Sequence, residues 1–528
     1  MKLTESPFRL AFARIFSKLK KNGFFSSIGI SKHLHLTFDF GIVFGVVGAF
    51  IFFMGFALLL PMIIDFIYQE DTWMAFLISA LISFFLGGSL FYIFKPKREL
   101  KNREAFLIVS LTWLGLSAVG ALPFVLTNVL SSYTDAFFET MSGLTTTGAT
   151  IFGGITDLGQ KNPDIEMLPK SLLFWRSLAH WLGGMGIIVL SIAILPLLGF
   201  GGMQLFQAET PGPTADKLTP RVQNTAKLLW VVYAGFTLVE FLLLWIHPSM
   251  DWFDALNHAF ATMATGGFST KNGSVADFDS VYIDVIIIIF MYLAGVNFAL
   301  HYRMLTGKFD AFLSNRELRF YTLVSVGSAI FISLSLFFQS GLSLGDSFRY
   351  GGFQAISIIT TTGFGTADYD IWPSIAFIVL VLLFFTGGCA GSTGGGVKMI
   401  RWLILIRNSF KEITQTLHPK AILPVRIGRY TVEPAVIRTV LSFFILYIFI
   451  FATVAVILAF LNIDFLSSIG ASIACLGNIG PGFASYGPTD NFASIPTLGK
   501  WVLSFAMMIG RLELFTVLIL FSPKFWRE

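Results

Sequence analysis

The sequence predicts an all-α integral membrane protein built from four tandem helix–loop–helix units, with two extra transmembrane helices before the first unit. Its 528 residues are 55% hydrophobic and only 13% charged, and the mean hydropathy is +0.75. These values lie far from those of soluble domains. Two further observations support the fold: a glycine-centred stretch occurs four times, and most basic residues collect in alternate loops.

The clearest copy of the repeated stretch is Thr-Thr-Thr-Gly-Phe-Gly at 360–365, between two membrane-length apolar segments. It is typical of a potassium-channel selectivity filter, where glycine lets consecutive backbone carbonyls turn inward and replace a cation's water shell. The four central glycines are separated by 119, 96 and 117 residues. Four such pore loops could surround one axis, so one chain could form a pseudo-fourfold, potassium-channel-like pore. The residues predicted to coordinate K+ are Thr146, Thr147, Gly148, Thr265, Gly266, Gly267, Thr361, Thr362, Gly363, Asn478, Ile479 and Gly480.

The repeat spacing divides the chain into an N-terminal part and four helix–pore loop–helix units. The first apolar run, Phe40 to Ile64, is too long for a signal peptide and has no small-residue cleavage site, so it should remain as a helix. The predicted segments are a basic N-terminal arm 1–38, a two-helix domain 39–100, and pore units 101–215, 216–312, 313–430 and 431–528. The ten predicted spans are 40–64, 73–94, 105–130, 171–198, 226–247, 281–303, 318–339, 373–407, 435–461 and 497–521.

Charge asymmetry predicts the orientation. Six segments that fall on one side of the predicted topology hold 29 of the 36 Lys and Arg residues. By the positive-inside tendency this side is cytoplasmic, which places both termini inside and the four pore loops at the outer face. The net charge of +5 is therefore explained by topology, and no nucleic-acid partner is predicted. The six segments are 1–38, 95–104, 201–227, 301–320, 397–438 and 522–528.

A short apolar segment with an acid near its start precedes each pore loop. We expect these acids to be the N-caps of four pore helices, because an Asp there accepts from free N–H groups and complements the positive end of the helix dipole. The opposite helix ends would then direct partial negative charge at the cation path. The four acids are Asp135, Asp254, Asp346 and Asp464.

The third unit contains a glycine run at 387–396, within its Gly-rich intramembrane loop 386–396, midway along an apolar segment. Irregular backbone at membrane depth is tolerated only in a protein interior or beside a wet cavity, so we expect a loop beneath the filter that acts as a gate. A phosphate-binding loop is disfavoured, because Gly391 to Lys398 misses the required spacing by one residue and no strand precedes it. The predicted gate residues are Gly387, Gly388, Gly391, Gly394, Gly395, Gly396 and Arg511.

Arg511 is included in the gate because it lies deep inside the predicted span 497–521. A charge there must be satisfied inside the protein, by the pore or by carbonyls that the glycine loop frees. Glu513 is two residues away on the same helix and would point to another face. A positive barrier below the filter and a packing clamp without effect on permeation are both compatible with the sequence.

Together these features resemble the TrkH/KtrB family of bacterial potassium uptake proteins, specifically its TrkH branch, because two helices precede the first unit. The motifs that carry the resemblance are the four filter glycines, the run at 387–396, Leu417-His418-Pro419-Lys420-Ala421 and the stretch 510–515. The resemblance implies K+ as the transported ion, no organic cofactor, a homodimer and a cytosolic TrkA-type nucleotide-binding regulatory subunit. It also implies a multi-pass protein of the bacterial inner membrane. The regulator is expected to dock at 397–438.

Two other classes of function compete with a gated pore. A broken helix also occurs in secondary transporters, so H+- or Na+-coupled transport of K+ or Na+ is the alternative, although the repeats here are parallel. An enzyme is not predicted, because the seven histidines are scattered and no nucleophile–base pair is evident. His180 is expected to be a packed helix residue. Cys389 and Cys475 indicate neither a disulfide framework nor a zinc site.

Overall fold

The structure is a computed structural model that describes residues 39–94, 100–186, 222–428 and 430–526. The described chain is helical and mostly membrane-spanning. Its only named β-strands form a two-residue antiparallel hairpin, β1 (Arg426–Ile427) with β2 (Tyr430–Thr431), a small departure from the predicted all-α fold. The predicted arm 1–38 and most of the basic segment 201–227 lie outside the described residues.

The two N-terminal helices are α1 (Phe40–Tyr68) and α2 (Trp73–Ile93). They pack closely through glycine, since a Cβ built on Gly87 would lie 2.3 Å from the backbone nitrogen of Phe52. Small residues allow such backbone approach between membrane helices. The turn that follows α1 attaches the pair to unit one, because the Glu70 carboxylate accepts from the backbone nitrogen of Lys170 at 2.6 Å.

Each of the four units contains an outer helix, a pore helix and an inner helix. Unit one has α3 (Asn102–Gly120), α4 (Leu122–Leu126), α5 (Tyr133–Leu144) and α6 (Lys170–Gly184), and unit two has α7 (Val222–Trp245), α8 (Trp252–Met263), α9 (Val281–Ala294), α10 (Phe298–Leu305) and α11 (Phe309–Leu313). Unit three has α12 (Arg316–Gln339), α13 (Leu344–Ile359), α14 (Ser374–Phe384) and α15 (Met399–Leu417), and unit four has α16 (Pro434–Phe460), α17 (Phe465–Leu476), α18 (Thr497–Arg511), α19 (Phe515–Leu518) and α20 (Pro523–Trp526). Short 3-10 turns occur at Ile165–Met167, Ser274–Phe278, Ala484–Tyr486 and Ile519–Phe521.

Six described helices are long and apolar enough to cross a membrane, and two bent pairs bring the number to eight. The sequence predicted ten spans. Of the remaining two, 373–407 is interrupted after Phe384, as the glycine run predicted. The other, 171–198, is described as helix only to Gly184, and most of its predicted second half lies outside the described residues.

Two inner helices that were predicted to be continuous are broken. The predicted span 281–303 bends by 101° between α9 and α10, where the Asn297 side chain caps the new helix by accepting from the Ala299 nitrogen. The predicted span 497–521 bends by 113° between α18 and α19. There Glu513 and Leu514 both have positive φ, at 56° and 60°. In units two and four the inner helix is therefore interrupted at 295–297 and at 512–514.

The predicted N-cap role is correct for Asp464 and wrong for the other three acids. Asp464 is an N-cap and accepts from the Ser467 nitrogen at 3.0 Å. In the other pore helices the N-caps are Ser132, Asp251 and Ser343, and each accepts from the nitrogen of an Asp three residues later. The predicted acids Asp135, Asp254 and Asp346 therefore occupy the first turn, where a carboxylate still complements the helix dipole.

Candidate functional site

All four pore helices end in the same way. In each, the backbone nitrogen of the residue before the central glycine donates to a carbonyl five residues earlier, and the preceding nitrogen donates to a carbonyl three residues earlier. This pair of bonds is a Schellman motif, which requires a left-handed residue just past the helix. The five-residue bonds are Thr147 to Ser142 (2.9 Å), Gly266 to Ala261 (2.8 Å), Thr362 to Ser357 (2.9 Å) and Ile479 to Ala474 (2.9 Å).

The Schellman ending gives the four pore loops one backbone pattern. Each has a left-handed residue, then a residue outside the positive-φ region, then the central glycine with positive φ. The alternation directs successive carbonyls toward the same side of the loop. The left-handed residues are Thr146 (52°), Thr265 (54°), Thr361 (60°) and Asn478 (53°), and the glycines are Gly148 (85°), Gly267 (79°), Gly363 (83°) and Gly480 (105°).

The four loops form a closed ring in chain order. A Cβ built on each central glycine would collide with the carbonyl oxygen of the residue before the central glycine in an adjacent loop. The distances are 2.1 Å from Gly148 to Gly266 O, 2.1 Å from Gly267 to Thr362 O, 1.9 Å from Gly363 to Ile479 O and 2.7 Å from Gly480 to Thr147 O. The last contact joins unit four to unit one, so backbone oxygens from all four predicted loops meet around one axis.

A cavity of about 60 Å³ lies at one mouth of this ring. All four loops contribute to its wall, through residues that include Gly148, Gly267, Gly363 and Pro481. Stacked backbone carbonyls beside a wet mouth can replace the hydration shell of a cation. The site therefore fits a small dehydrated cation. No group of His, Cys, Asp or Glu side chains in the described part of the chain is arranged to hold a metal ion.

The fourth pore loop has Asn478 at the left-handed position, where the other three loops have threonine. Asparagine tolerates the left-handed region better than most residues. The Asn478 side chain also joins neighbouring elements, because its amide donates to Thr147 Oγ1 at 3.0 Å and to the Met507 carbonyl at 2.9 Å. The loop that breaks the sequence pattern thus closes the ring onto unit one.

A buried ion pair stands behind the first two loops. Arg176 Nε of α6 lies 2.8 Å from Glu139 Oε1 of α5, and both side chains are almost fully buried. Arg176 also donates to the Ser269 carbonyl at 3.1 Å, and Glu139 accepts from the Ile151 nitrogen at 3.1 Å. The pair therefore connects the segments that follow the first and second pore loops.

Removing one partner of this pair is expected to destabilise the protein strongly. Arg176→Met leaves the Glu139 carboxylate buried without its counter-charge, and breaking a buried pair in this way costs about 3–5 kcal/mol. The measurement is the thermal unfolding midpoint in detergent. Adding Glu139→Gln to Arg176→Met should recover part of the loss, because the double variant buries no charge. A single variant that unfolds at the parent midpoint would contradict this role.

His180 lies directly behind the second loop. Its ring stacks on Phe268 with centroids 4.1 Å apart, and it fills the space where a side chain at Gly266 would lie. Neither ring nitrogen has a hydrogen-bond partner among the described residues. His180 thus packs against the backbone of the second pore loop.

The glycine run lies under the third and fourth loops. The Gly395 nitrogen donates to Thr361 Oγ1 at 2.6 Å. A Cβ on Gly394 would lie 2.9 Å from the Thr360 carbonyl, and one on Gly395 would lie 2.4 Å from the Gly477 carbonyl. Glycine is therefore needed for the backbone to reach the ends of the third and fourth pore helices. Gly391 and Gly396 have positive φ, at 75° and 61°, and Gly387 and Gly388 pack against backbone carbonyls.

The other side of the run is held by unit two and by a buried carboxylate. The Cys389 nitrogen donates at 2.8 Å to the Gly295 carbonyl, which the break between α9 and α10 exposes. Glu317 of α12 accepts from the Ala390 nitrogen at 2.7 Å and from the Ile400 nitrogen at 3.0 Å. The backbone N–H groups in these bonds have no partner within a helix. Inside a membrane such groups need another partner in the protein, and these bonds provide it.

Arg511 lies between the glycine run and unit one. Its guanidinium donates to the Thr393 carbonyl at 2.7 Å and to the Gly183 and Gly184 carbonyls at 2.5 and 2.8 Å. Bonding to carbonyls freed by the glycine run agrees with the sequence expectation, and the carbonyls at the end of α6 were not foreseen. Glu513 pairs instead with Arg401 of α15.

Sequence reasoning missed the charged contacts between units. Lys500 of α18 lies 2.6 Å from Asp135 of the first pore helix, and both are buried. Glu139, Arg176 and Glu317 were likewise not singled out. A usable signal was present for Arg176, Lys500 and Glu317, because each lies within or at the end of a membrane-length apolar segment, where a charge needs a partner. Glu139 lies in the short first pore helix, where hydropathy gives no such signal.

Comparison with known proteins identifies the family of this chain. The family described as TrkH, cation transport protein, matches residues 72–528. Two relatives named Trk system potassium uptake protein TrkH, from Escherichia coli and Halomonas elongata, are 40% and 38% identical, each covering 92% of this chain and 98% of the relative. The crystal structure of the potassium transporter TrkH from Vibrio parahaemolyticus has a TM-score of 0.82 and 36% identity, covering 93% of this chain and all of that chain. The chain therefore belongs to the TrkH family of cation transport proteins.

Proposed function

We propose that this protein carries potassium ions into a bacterial cell, across the inner membrane, through a gated pore at the centre of its four units. The observation that carries the proposal is the closed ring, in which the backbone of each filter loop touches the next and the fourth touches the first. Such a ring offers carbonyl oxygens to a dehydrated cation. The names of the relatives, potassium uptake proteins, support K+ as that cation.

Ion flux into liposomes tests the proposal. Purified protein should admit K+ and Rb+ faster than Na+, and no imposed H+ or Na+ gradient should be required. The ion-coupled alternative remains a second candidate, because Glu240 of α7 is a fully buried carboxylate within a membrane span. Intramembrane carboxylates often carry coupling protons. K+ accumulation only in the presence of a pH or Na+ gradient would favour that alternative.

We assign the gate to the glycine run and Arg511. Arg511 belongs to unit four, and its guanidinium bonds backbone of units three and one, its two neighbours in the ring. A side chain that reaches both neighbours must lie close to the central axis. A positive charge there opposes the passage of K+. Movement of the glycine run would release the Thr393 contact and let the arginine leave the path.

Regulation and assembly follow the family resemblance. We infer a homodimer with one pore in each subunit, and a cytosolic TrkA-type nucleotide-binding subunit that docks on 397–438. This segment presents exposed bases such as Lys420 and Arg438. A regulator bound there could pull on α15, which begins three residues after the glycine run. Co-purification of the regulator with the parent, and its loss when these bases are neutralised, tests the docking site.

Acidic residues at the outer mouth predict a pH-dependent rate of uptake. Asp370 abuts Gly487, which lines the mouth, and burial, with the nearby Asp368 and Asp490, raises the pKa of Asp370 to about 6. The carboxyl is therefore neutral below pH 6 and negative above it. K+ influx at low K+ should rise about two- to threefold as the outer pH increases from 5 to 7, because negative charge concentrates cations at the mouth.

Asp370→Asn should remove this pH step and hold influx at the low-pH value. Asp157→Asn is the matched control, since Asp157 is an exposed acid in another outer loop and does not line the mouth. An Asp370→Asn protein with the same pH step as the parent would assign the step to another group.

A further inference from the structure

A second cavity, of about 230 Å³, shares no lining residue with the cavity at the four loops. It lies at the N-terminal end of α12, the outer helix of unit three, whose 24 residues span the membrane. At 1.5 Å per residue the helix separates the cavity from the outer face by roughly 36 Å. By the predicted orientation the cavity is at the cytoplasmic boundary of the bilayer.

Three elements each bring arginine to this cavity. Arg316 and Arg319 come from the first turn of α12, Arg407 from α15, and Arg426 from strand β1. No Asp or Glu side chain lines it. In the part of the chain that the structure describes, no carboxylate pairs with any of the four. Four guanidinium groups around one space repel each other unless an anion neutralises them.

The hairpin that supplies Arg426 is fixed in place. Gly428 forms its turn with a φ of 61°, and a Cβ there would lie 3.4 Å from Arg316 Cγ, so the turn closes against that side chain. Val425, just before β1, is buried in an apolar cluster with Ile404 and Ile437. The hairpin is therefore packed against α12 and α15, and it holds Arg426 beside the exposed arginines of these two helices.

The apolar part of the wall indicates the kind of anion. Phe320, Leu323 and Leu403 line the cavity beside the arginines. Leu323 lies on a membrane-spanning helix and is 70% exposed, so this side of the cavity faces lipid. Arginine binds phosphate oxygens in a bidentate manner, and basic pockets between helices on the cytoplasmic side suit anionic headgroups. A soluble phosphate would use the arginines and leave the apolar wall uncovered.

We propose that this cavity is a binding site for the headgroup of an anionic phospholipid of the cytoplasmic leaflet. The phosphate would contact Arg316, Arg407 and Arg426, and an acyl chain would lie along Leu323. The lipid would join α12, α15 and the hairpin. Because α15 begins just after the glycine run, a lipid that fixes α15 can also influence the proposed gate.

Native mass spectrometry of the purified full chain, with phosphatidylglycerol or phosphatidylcholine added, tests the site. The parent should retain phosphatidylglycerol in preference to phosphatidylcholine. The triple variant Arg316→Gln/Arg407→Gln/Arg426→Gln should bind phosphatidylglycerol about 100-fold more weakly, at roughly fivefold per arginine. Arg438→Gln removes an exposed arginine that does not line the cavity, and it should bind as the parent does.

Two single variants test whether weaker binding comes from misfolding, and competition with inorganic phosphate tests whether the bound anion is a lipid. The single variant Arg407→Gln should lose about fivefold, and Arg407→Lys should lose less, because it keeps the charge. Millimolar inorganic phosphate should not compete with the lipid. Equal phosphatidylglycerol binding by the triple variant and the parent would overturn the proposal. Full competition by phosphate would overturn it as well.

Discussion

Gly363→Ser is expected to remove most of the discrimination between K+ and Na+ while leaving a folded, membrane-inserted protein. The added Cβ would lie 1.9 Å from the Ile479 carbonyl oxygen and 2.8 Å from the Pro481 ring, and both are parts of the adjacent filter loop. A backbone carbonyl cannot move aside as a flexible side chain can. The φ of 83° adds strain of about 1–2 kcal/mol for a residue with a side chain.

Either response damages the site for K+. If the Ile479 carbonyl rotates away, the ring loses one oxygen ligand, and if the two loops separate, the ring widens. A loss of about 1.4 kcal/mol in the preference for K+ is a tenfold change in the ratio. We therefore expect the K+/Na+ flux ratio in liposomes to fall at least tenfold.

The pore helix that precedes this loop offers a matched control for this substitution. Gly352 lies on the third pore helix, and a Cβ there meets nothing within 4 Å. Gly352→Ser should keep the parent flux ratio. The corresponding variant at Gly480 should be the mildest of the four filter variants, because its nearest carbonyl is 2.7 Å from the added Cβ. Four filter variants that all discriminate as the parent does would disprove the filter assignment.

The sequence predicted the pore loops and the glycine run because, at these places, the backbone adopts a positive φ or a close approach that only glycine allows. Gly148, Gly267, Gly363 and Gly480 could be aligned because positive φ and contact with the next loop exclude other residues. The run at 387–396 was located for the same reason. Span positions followed from hydropathy, which depends on composition and not on contacts.

The features that the sequence did not predict depend on contacts between distant residues. The break after Arg511 has no glycine or proline within it, and Glu513 and Leu514 adopt positive φ because the surrounding packing holds them there. The pairs Arg176–Glu139 and Lys500–Asp135 join residues 37 and 365 positions apart. Apolar periodicity does not indicate such partners. An intramembrane charge shows that a partner is needed, but only the structure shows which one.

Arg511→Gln is expected to raise K+ flux, most clearly in the absence of the regulatory subunit. The guanidinium is always charged, and its bonds to Thr393, Gly183 and Gly184 hold it below the filter between units three and one. A unit charge about 8 Å from a passing K+ opposes it by about 2 kcal/mol at an effective dielectric constant of 20. Removal of that charge corresponds to a roughly 10- to 30-fold faster flux. Glutamine can still donate to one carbonyl, so the glycine run keeps part of its support.

The K+/Na+ ratio of Arg511→Gln should stay near the parent value, because the filter carbonyls are unchanged. If Arg511→Gln raises flux, Arg511→Lys shows whether the lost charge or the lost bonding is the cause. A lysine keeps the charge but lacks the fork that reaches three carbonyls. If the charge is the barrier, Arg511→Lys should conduct as slowly as the parent, whereas if the three-way bonding is what matters, it should behave like Arg511→Gln. A correctly assembled Arg511→Gln protein with unchanged or lower flux would make Arg511 a packing clamp, and the barrier would then have to come from the glycine run alone.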